Sequence, residues 1–248
     1  MKMNVEHNVI SRKSASKRAW EVLKEKGFLH LIRTSVNWFF LSFRLSLFKL
    51  VDSEPEFVLG NRSYKYFYHP YNETWKNERA VEIPIVYEFV REYRGKGTLE
   101  VGNTLSHYFV VNHDVLDKYE RDVDVINDDI VDFNPSRKYD LIVSVSTLEH
   151  VGWDESPKDP YKVLKALQSM EKLLATGGKV VVTFGIGQNP VLDQLLRENK
   201  LRFTELRCLK RISRSNKWRE VSWPEIAHAE YDRPFPKSNG LVVGIVKK

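Results

Sequence analysis

The chain has 248 residues, 42% of them hydrophobic and 29% charged, enough for one α/β domain with accessory segments. Its net charge of +6 is unevenly placed: residues 1–51 carry ten Lys/Arg against three Glu, and the remainder 29 against 30, so the body of the chain has no basic face for a long nucleic acid. The single cysteine, Cys208, excludes an intrachain disulfide framework and a cysteine-based zinc cluster, and fits a reducing compartment.

Residues 1–19 are polar and basic and read as a frayed end rather than a secretory signal. Residues 20–51 are dense in aromatics, with Trp38, Phe39, Phe40, Phe43 and Phe48, and are interrupted by Arg33, Arg44 and Lys49. Only ten uncharged residues separate Arg33 from Arg44, too few to span a bilayer. An amphipathic helix lying on an anionic membrane surface fits this pattern, which implies a cytoplasmic protein peripheral on the inner face of the membrane. Packing on its own domain, or on a second subunit in a homodimer, is the alternative.

Residues 52–77 crowd Tyr64, Tyr66, Phe67, Tyr68, Tyr71 and Trp75 into a stretch that reads as a lid or pocket lining. Glu78 to Tyr93 reads as a cap helix with Val81, Ile85, Val86 and Phe89 at helical spacing, kinked at Pro84. The organisation is therefore a basic aromatic segment (1–51), a lid and cap helix (52–97) and a core (98–248).

The core opens with four short apolar runs, Thr98–Val101, His113–Leu116, Asp124–Ile126 and Tyr139–Val145, each closed by polar or small residues. Such runs predict buried parallel strands. The links between them leave room for helices of one or two turns at most, over 104–110 and 117–123. Asp159 and Pro160 predict the start of a helix that Gly177 and Gly178 stop, followed by a strand over Lys179–Phe184. Asn189 caps and Pro190 opens a further helix through Arg197. Residues 203–212 and 241–247 read as the last two strands, the latter at the sheet edge, and the Trp- and Arg-rich connection 213–239 reads as a substrate wall.

In an open parallel sheet, ligands bind beyond the carboxyl ends of the strands. Those ends carry Glu100, Gly102, Asp117, Asp128, Asp129 and Glu149, acidic groups suited to hydroxyls, an amino group or a cation and not to a phosphate. The chain has neither the GxGxxG of a dinucleotide site nor the GxxxxGK of a P-loop.

The succession Glu100-Val101-Gly102-Asn103-Thr104-Leu105-Ser106, then Asp117, then Asp129, then YDLIVSVSTLEHV, then LLATGGKVVVTF resembles the class I S-adenosylmethionine-dependent methyltransferases across residues 98–184. Thr104 and Ser106 stand where that family's first motif repeats glycine. The resemblance implies a Rossmann-like, mostly parallel seven-stranded sheet with helices on both faces and an antiparallel edge strand. It also implies S-adenosylmethionine (SAM) as cofactor, S-adenosylhomocysteine as product and no metal. Carried over, Glu100 with Gly102 and Asn103 lies near the methionine end, Asp117 at the ribose, and Asp129 with Asp128 near the adenine amino group. Ser146, closing the fourth strand, completes the cofactor set.

His150, directly after that strand, is the candidate general base for a hydroxyl acceptor, with Asp154 to orient it and Glu155 beside it. Glu149 is a weaker alternative, His107 a weaker one still, and Asp193 lies beyond the fifth strand. Tyr71, Asn72, Trp75, Trp218 and Tyr231, with Gln188 and Asn189, combine aromatic faces and polar groups in a way that suits sugar rings. The Asn/Asp-Pro-Pro-aromatic sequence of DNA amino-methyltransferases is replaced by Ser146-Thr147-Leu148, and Cys208 follows Arg207 rather than the proline of a cytosine-C5 enzyme. The expected activity is O-methylation of a sugar in a glycan or lipid-linked glycan at the membrane surface. The alternatives are a small-molecule methyltransferase with a dimerising N-terminal helix, and a SAM-binding protein without catalysis.

Overall fold

The computed structural model describes residues 36, 39–48 and 56–248. Residues 39–48 are helical, and the remainder of the expected 20–51 segment lies outside the described residues. A hairpin follows, β1 (Glu56–Leu59) and β2 (Arg62–Lys65), turned by Gly60 and Asn61 with Gly60 at φ +62°. A 3₁₀ turn over Tyr71–Lys76 leads into helix α1 (Arg79–Glu92).

The central sheet takes β3 (Thr98–Val101), β4 (Asp114–Leu116), β5 (Val125–Ile126), β6 (Tyr139–Val145), β7 (Leu174–Gly185), β8 (Glu205–Arg211), β9 (Trp218–Val221) and β10 (Gly240–Lys247). Helix α2 (Lys162–Leu173) joins β6 to β7, and α3 (Pro190–Arg197) follows β7. The strand order is β5-β4-β3-β6-β7-β10-β8-β9. The first five are parallel, β10 is antiparallel to both β7 and β8, and β9 closes the edge antiparallel to β8.

The mostly parallel sheet with an antiparallel edge agrees with the sequence, and two details differ. The sheet has eight strands, because Trp218–Val221 in the long connection pairs with β8. Residues 240–247 lie inside the sheet and not at its edge. Their uninterrupted apolar run LVVGIV is the mark of a strand covered on both faces, and six of its first six residues, Gly240–Ile245, are buried.

Period-two alternation in β6 sends its side chains to two cores. Ile142 faces α2 and α3 through Val163, Met170, Leu192 and Leu195. Leu141, Val143 and Val145 face α1 through Ile83 and Val86. The aromatics of residues 57–68 close a third cluster: Phe57 and Tyr66 pack with Trp218, Leu209 and Leu241. Much of the expected lid is thus core, because the hairpin lays these rings on the sheet.

Candidate functional site

Beyond the carboxyl ends of β3, β4, β5 and β6 lies a cavity of about 540 Å³, within the usual range for a small-molecule site. Val101, Leu116, Ile130 and Val151 supply apolar wall, and Gly102, Asn103, Asp117, Asp128, Ser146 and Thr147 supply polar edges. Gly102 sits at φ +87°, and a Cβ there would lie 2.1 Å from Thr147 Oγ1. Glycine is therefore required both by the turn and by the close approach of β3 and β6.

The acids play different parts. Glu100 is fully buried and turned into the loop: its Oε1 accepts from the backbone of Thr104 (2.8 Å) and Leu105 (2.6 Å), and its Oε2 meets His113 Nε2 at 2.9 Å. It shapes the loop and does not line the cavity. Asp117 lines the cavity while accepting from the backbone of Asn103 (3.1 Å), Tyr119 (2.8 Å) and Glu120 (2.7 Å). Asp129 is bound by Lys162 and by Lys118 at 2.9 Å, and Glu155 meets each of these lysines at 2.6 Å. Asp128, exposed at the cavity rim, is the acid of this pair outside the lysine network.

Thr104 and Ser106, in place of glycines, tie the loop to the end of β6 and to itself. Thr104 Oγ1 donates to Val145 O at 3.2 Å, and Ser106 Oγ donates to Asn103 Oδ1. The segment continues as a single 3₁₀ turn, Leu105–His107, where the sequence left room for one or two helical turns, and no helix forms over 117–123. A loop without a long helix behind it has no second close approach to accommodate, so one glycine suffices.

His150 lines the cavity, and its Nδ1 lies 2.6 Å from Asp154 Oδ2, with both side chains more than half exposed. The structure thus brings together the expected base and its orienting carboxylate. His107 stacks on Tyr71 at 4.9 Å and lies 3.3 Å from Glu120.

The expected acceptor residues divide. Tyr71 is exposed, and Asn72, at φ +57°, lies in the same turn. Trp75 and Trp218 are both 4% exposed, and the Trp218 indole N–H donates to Asn216 Oδ1 at 2.9 Å; both are core residues, since the hairpin and β9 bury them. Asn189 is buried as the cap of α3, accepting from Val191 and Leu192, while its Nδ2 donates to Glu149 O at 3.0 Å. Gln188 is half-buried beside Gly185. Asp193 accepts from Gly187 N at 2.9 Å, and burial raises its carboxyl to about 6.

Across Ser146 from the cavity lies a buried polar cluster that sequence reasoning missed. Ser146 Oγ donates to Glu82 at 2.8 Å, as does Thr183 Oγ1. Arg79 Nη1 donates to Glu82 at 2.7 Å and to Val145 O at 3.3 Å. Glu78 Oε2 accepts from Ser238 N at 3.2 Å. Glu149 is 1% exposed, neither of its oxygens has a hydrogen-bond partner, and burial raises its carboxyl to about 8. Burial also raises the phenols of Tyr108 and Tyr231, which face the same charges, to about 12. One signal was available: Glu82 falls among Ala80, Val81, Ile83, Ile85 and Val86, a carboxylate inside an apolar face.

No family model matches the chain, and no curated protein matches it. Solved structures do. The N-methyltransferase NodS from Bradyrhizobium japonicum WM9, in complex with S-adenosyl-L-homocysteine, is 13% identical over 67% of this chain and 87% of its own, with TM-score 0.40. A SAM-dependent methyltransferase from Archaeoglobus fulgidus is 12% identical over 72% and 98%, with TM-score 0.44. The sugar N-methyltransferase KedS8 from Streptoalloteichus sp ATCC 53650 is 15% identical over 80% and 98%, with TM-score 0.37. This chain has the class I SAM-dependent methyltransferase fold. The loop after β3 carries a single glycine and a caged glutamate.

Proposed function

We propose that the chain is a SAM-dependent methyltransferase that O-methylates a sugar hydroxyl of a glycan or lipid-linked glycan. The observation that carries the proposal is the cavity at the strand ends, with Gly102 at positive φ, Asp117 on one wall and the His150–Asp154 pair on another. The residues fit the cofactor: apolar Val101, Leu116 and Ile130 suit a flat base, Asp117 and Asp128 suit hydroxyl and amino donors, and Gly102 puts no side chain into the space. When bound, SAM supplies a methyl group activated by a sulfonium.

The chain's own residues do the rest. Asp154 fixes the His150 imidazole so that its other nitrogen faces outward to take a proton from a hydroxyl. Ser146 and Thr147 close the far wall. The helix over 39–48 exposes Phe39, Phe40, Phe43 and Leu47 while Phe48 packs edge-on against Tyr68 at 5.2 Å, an outward apolar face beside Arg44 that supports docking on an anionic membrane. None of the described helices is long and apolar enough to cross a membrane.

Calorimetry with SAM and with S-adenosylhomocysteine, followed by transfer of labelled methyl groups into a fractionated extract, tests the reading. Micromolar binding and label in a glycan or glycolipid fraction are expected. Absence of binding overturns it; binding without transfer leaves the non-catalytic alternative, and label in a free small molecule leaves the dimerising one.

A further inference from the structure

The cluster behind Ser146 is out of electrostatic balance. Glu78, Glu82 and Glu149 are each at most 8% exposed. Two guanidinium groups face them: Arg79, which bonds Glu82, and Arg211, which acts on Glu78 while all of its own hydrogen bonds go to the carbonyls of Ser213, Arg214 and Pro236. Among the described residues, three carboxylates against two cations leave one negative charge uncompensated when all three are ionised, and a buried uncompensated charge is costly. The carboxyl that bears the imbalance is Glu149. Glu82 and Arg79 act on its charge, it acts in turn on Tyr231, and its two oxygens are without a hydrogen-bond partner. A buried polar group left bare in this way marks a place for a partner that belongs to the working complex.

We propose that this cluster is an ammonium-binding subsite, and that the acceptor is a hydroxylated primary amine of the amino-sugar type whose charged nitrogen docks on Glu149. The inference rests on the methyltransferase reading and names the acceptor class for it. One ammonium supplies the one missing positive charge, and its three N–H donors match the bare oxygens of Glu149. The phenols of Tyr108 and Tyr231, protonated at any physiological pH, stand by to bond sugar hydroxyls. The location is right for an acceptor. Ser146 lines the cavity at the strand ends and donates to Glu82, so the cluster adjoins that cavity.

Without a ligand, a proton on Glu149 takes the place of the missing cation, since burial lifts this carboxyl to about 8. The groups that act on it are Arg79 and Glu82 from the start of α1, the backbone amides of Glu149 itself and of Gly185 at the end of β7, and Tyr231 from the connection before β10. Docking of an ammonium therefore expels a proton, which gives a readout independent of turnover.

The test uses the full chain loaded with S-adenosylhomocysteine at pH 6.5, titrated with D-glucosamine and N-acetyl-D-glucosamine in buffers of different ionisation enthalpy. Glucosamine is expected to bind at least tenfold more tightly than its N-acetyl form and to release close to one proton. Glu149→Gln, which keeps the shape, is expected to lose at least tenfold in glucosamine affinity and to abolish proton release, with homocysteine-nucleoside affinity within twofold of wild type. Equal affinity for the two sugars, binding of neither, or an unchanged preference in the variant overturns the proposal. Failure of the nucleoside itself to bind instead removes the methyltransferase reading beneath it.

Discussion

Glu149→Gln should change how stability depends on pH. In the native chain burial holds this carboxyl at about 8 against an ordinary value of 4.5, while in the unfolded chain it ionises at that ordinary value. Below about pH 4.5 both states carry the proton and Glu149 adds no pH dependence. Between there and about 8 the folded state alone holds the proton, so folding loses stability as pH rises. The interval is roughly three and a half pH units, and at 1.36 kcal/mol per unit it amounts to a penalty on the order of 5 kcal/mol, complete by about pH 8. Glutamine has the shape of the protonated acid and nothing to ionise. Wild type and variant should therefore show a constant difference in urea below about pH 4, and the variant should gain about 1.4 kcal/mol per pH unit relative to wild type between about pH 5 and pH 8. Glu78, also raised by burial and by Glu82, contributes to both curves and cancels in the difference. Parallel stability curves across pH 5–9 would refute the reasoning, because they would mean that Glu149 is solvated or paired.

The other predictions follow from the cavity and the helix. Gly102→Val forces a side chain to within 2.1 Å of Thr147 Oγ1 at a backbone φ of +87°, and should destabilise the fold by more than about 2 kcal/mol and abolish SAM binding, as read by thermal melts and calorimetry. Asp117→Ala leaves the amides of Asn103, Tyr119 and Glu120 without their acceptor and should weaken SAM binding by about 1–3 kcal/mol; an unchanged Kd removes Asp117 from the site. His150→Ala should lower turnover by about 10²–10⁴-fold with SAM affinity near normal, as read by labelled-methyl transfer and calorimetry. Replacing exposed Phe40 and Phe43 together with serine should release the full chain from anionic liposomes at low salt without changing its melting temperature; retained binding makes that face irrelevant to membranes.

Local pattern made much of the sheet legible. Tyr139–Val145 and Pro190–Arg197 fall where the sequence puts them, because an apolar run bounded by Ser146 and an Asn-Pro helix start are decided within a few residues. The hairpin over 56–65 was hidden by its aromatics, although Gly60-Asn61 between alternating residues is a two-residue hairpin turn that could have disclosed it. Gly177 and Gly178 read as a helix stop, yet β7 already begins at Leu174: the glycines sit at the irregularity where pairing with β6 jumps from Tyr139 to Leu141. The cavity's acids were found because strand ends are predictable. The Glu78–Glu82–Glu149 cluster was not, because it joins a helix start to a strand end more than sixty residues away, and only the packing of α1 on β6 brings them together.

Glu100 stands at the expected strand end, and its carboxylate is held by the loop that follows. A carboxylate at this strand end suggests a cofactor contact, but the loop that follows lacks the repeated glycines that would let its amides face the cavity. The amides of Thr104 and Leu105 turn back onto Glu100 instead, and His113 on β4's approach closes the cage at 2.9 Å. With that carboxylate consumed by the loop, Asp117 and Asp128 line the cavity without it, and on the proposed reading they meet the cofactor. Beyond β6, the buried Glu149 carboxyl is left without a side-chain partner while Glu100 is caged by its own loop.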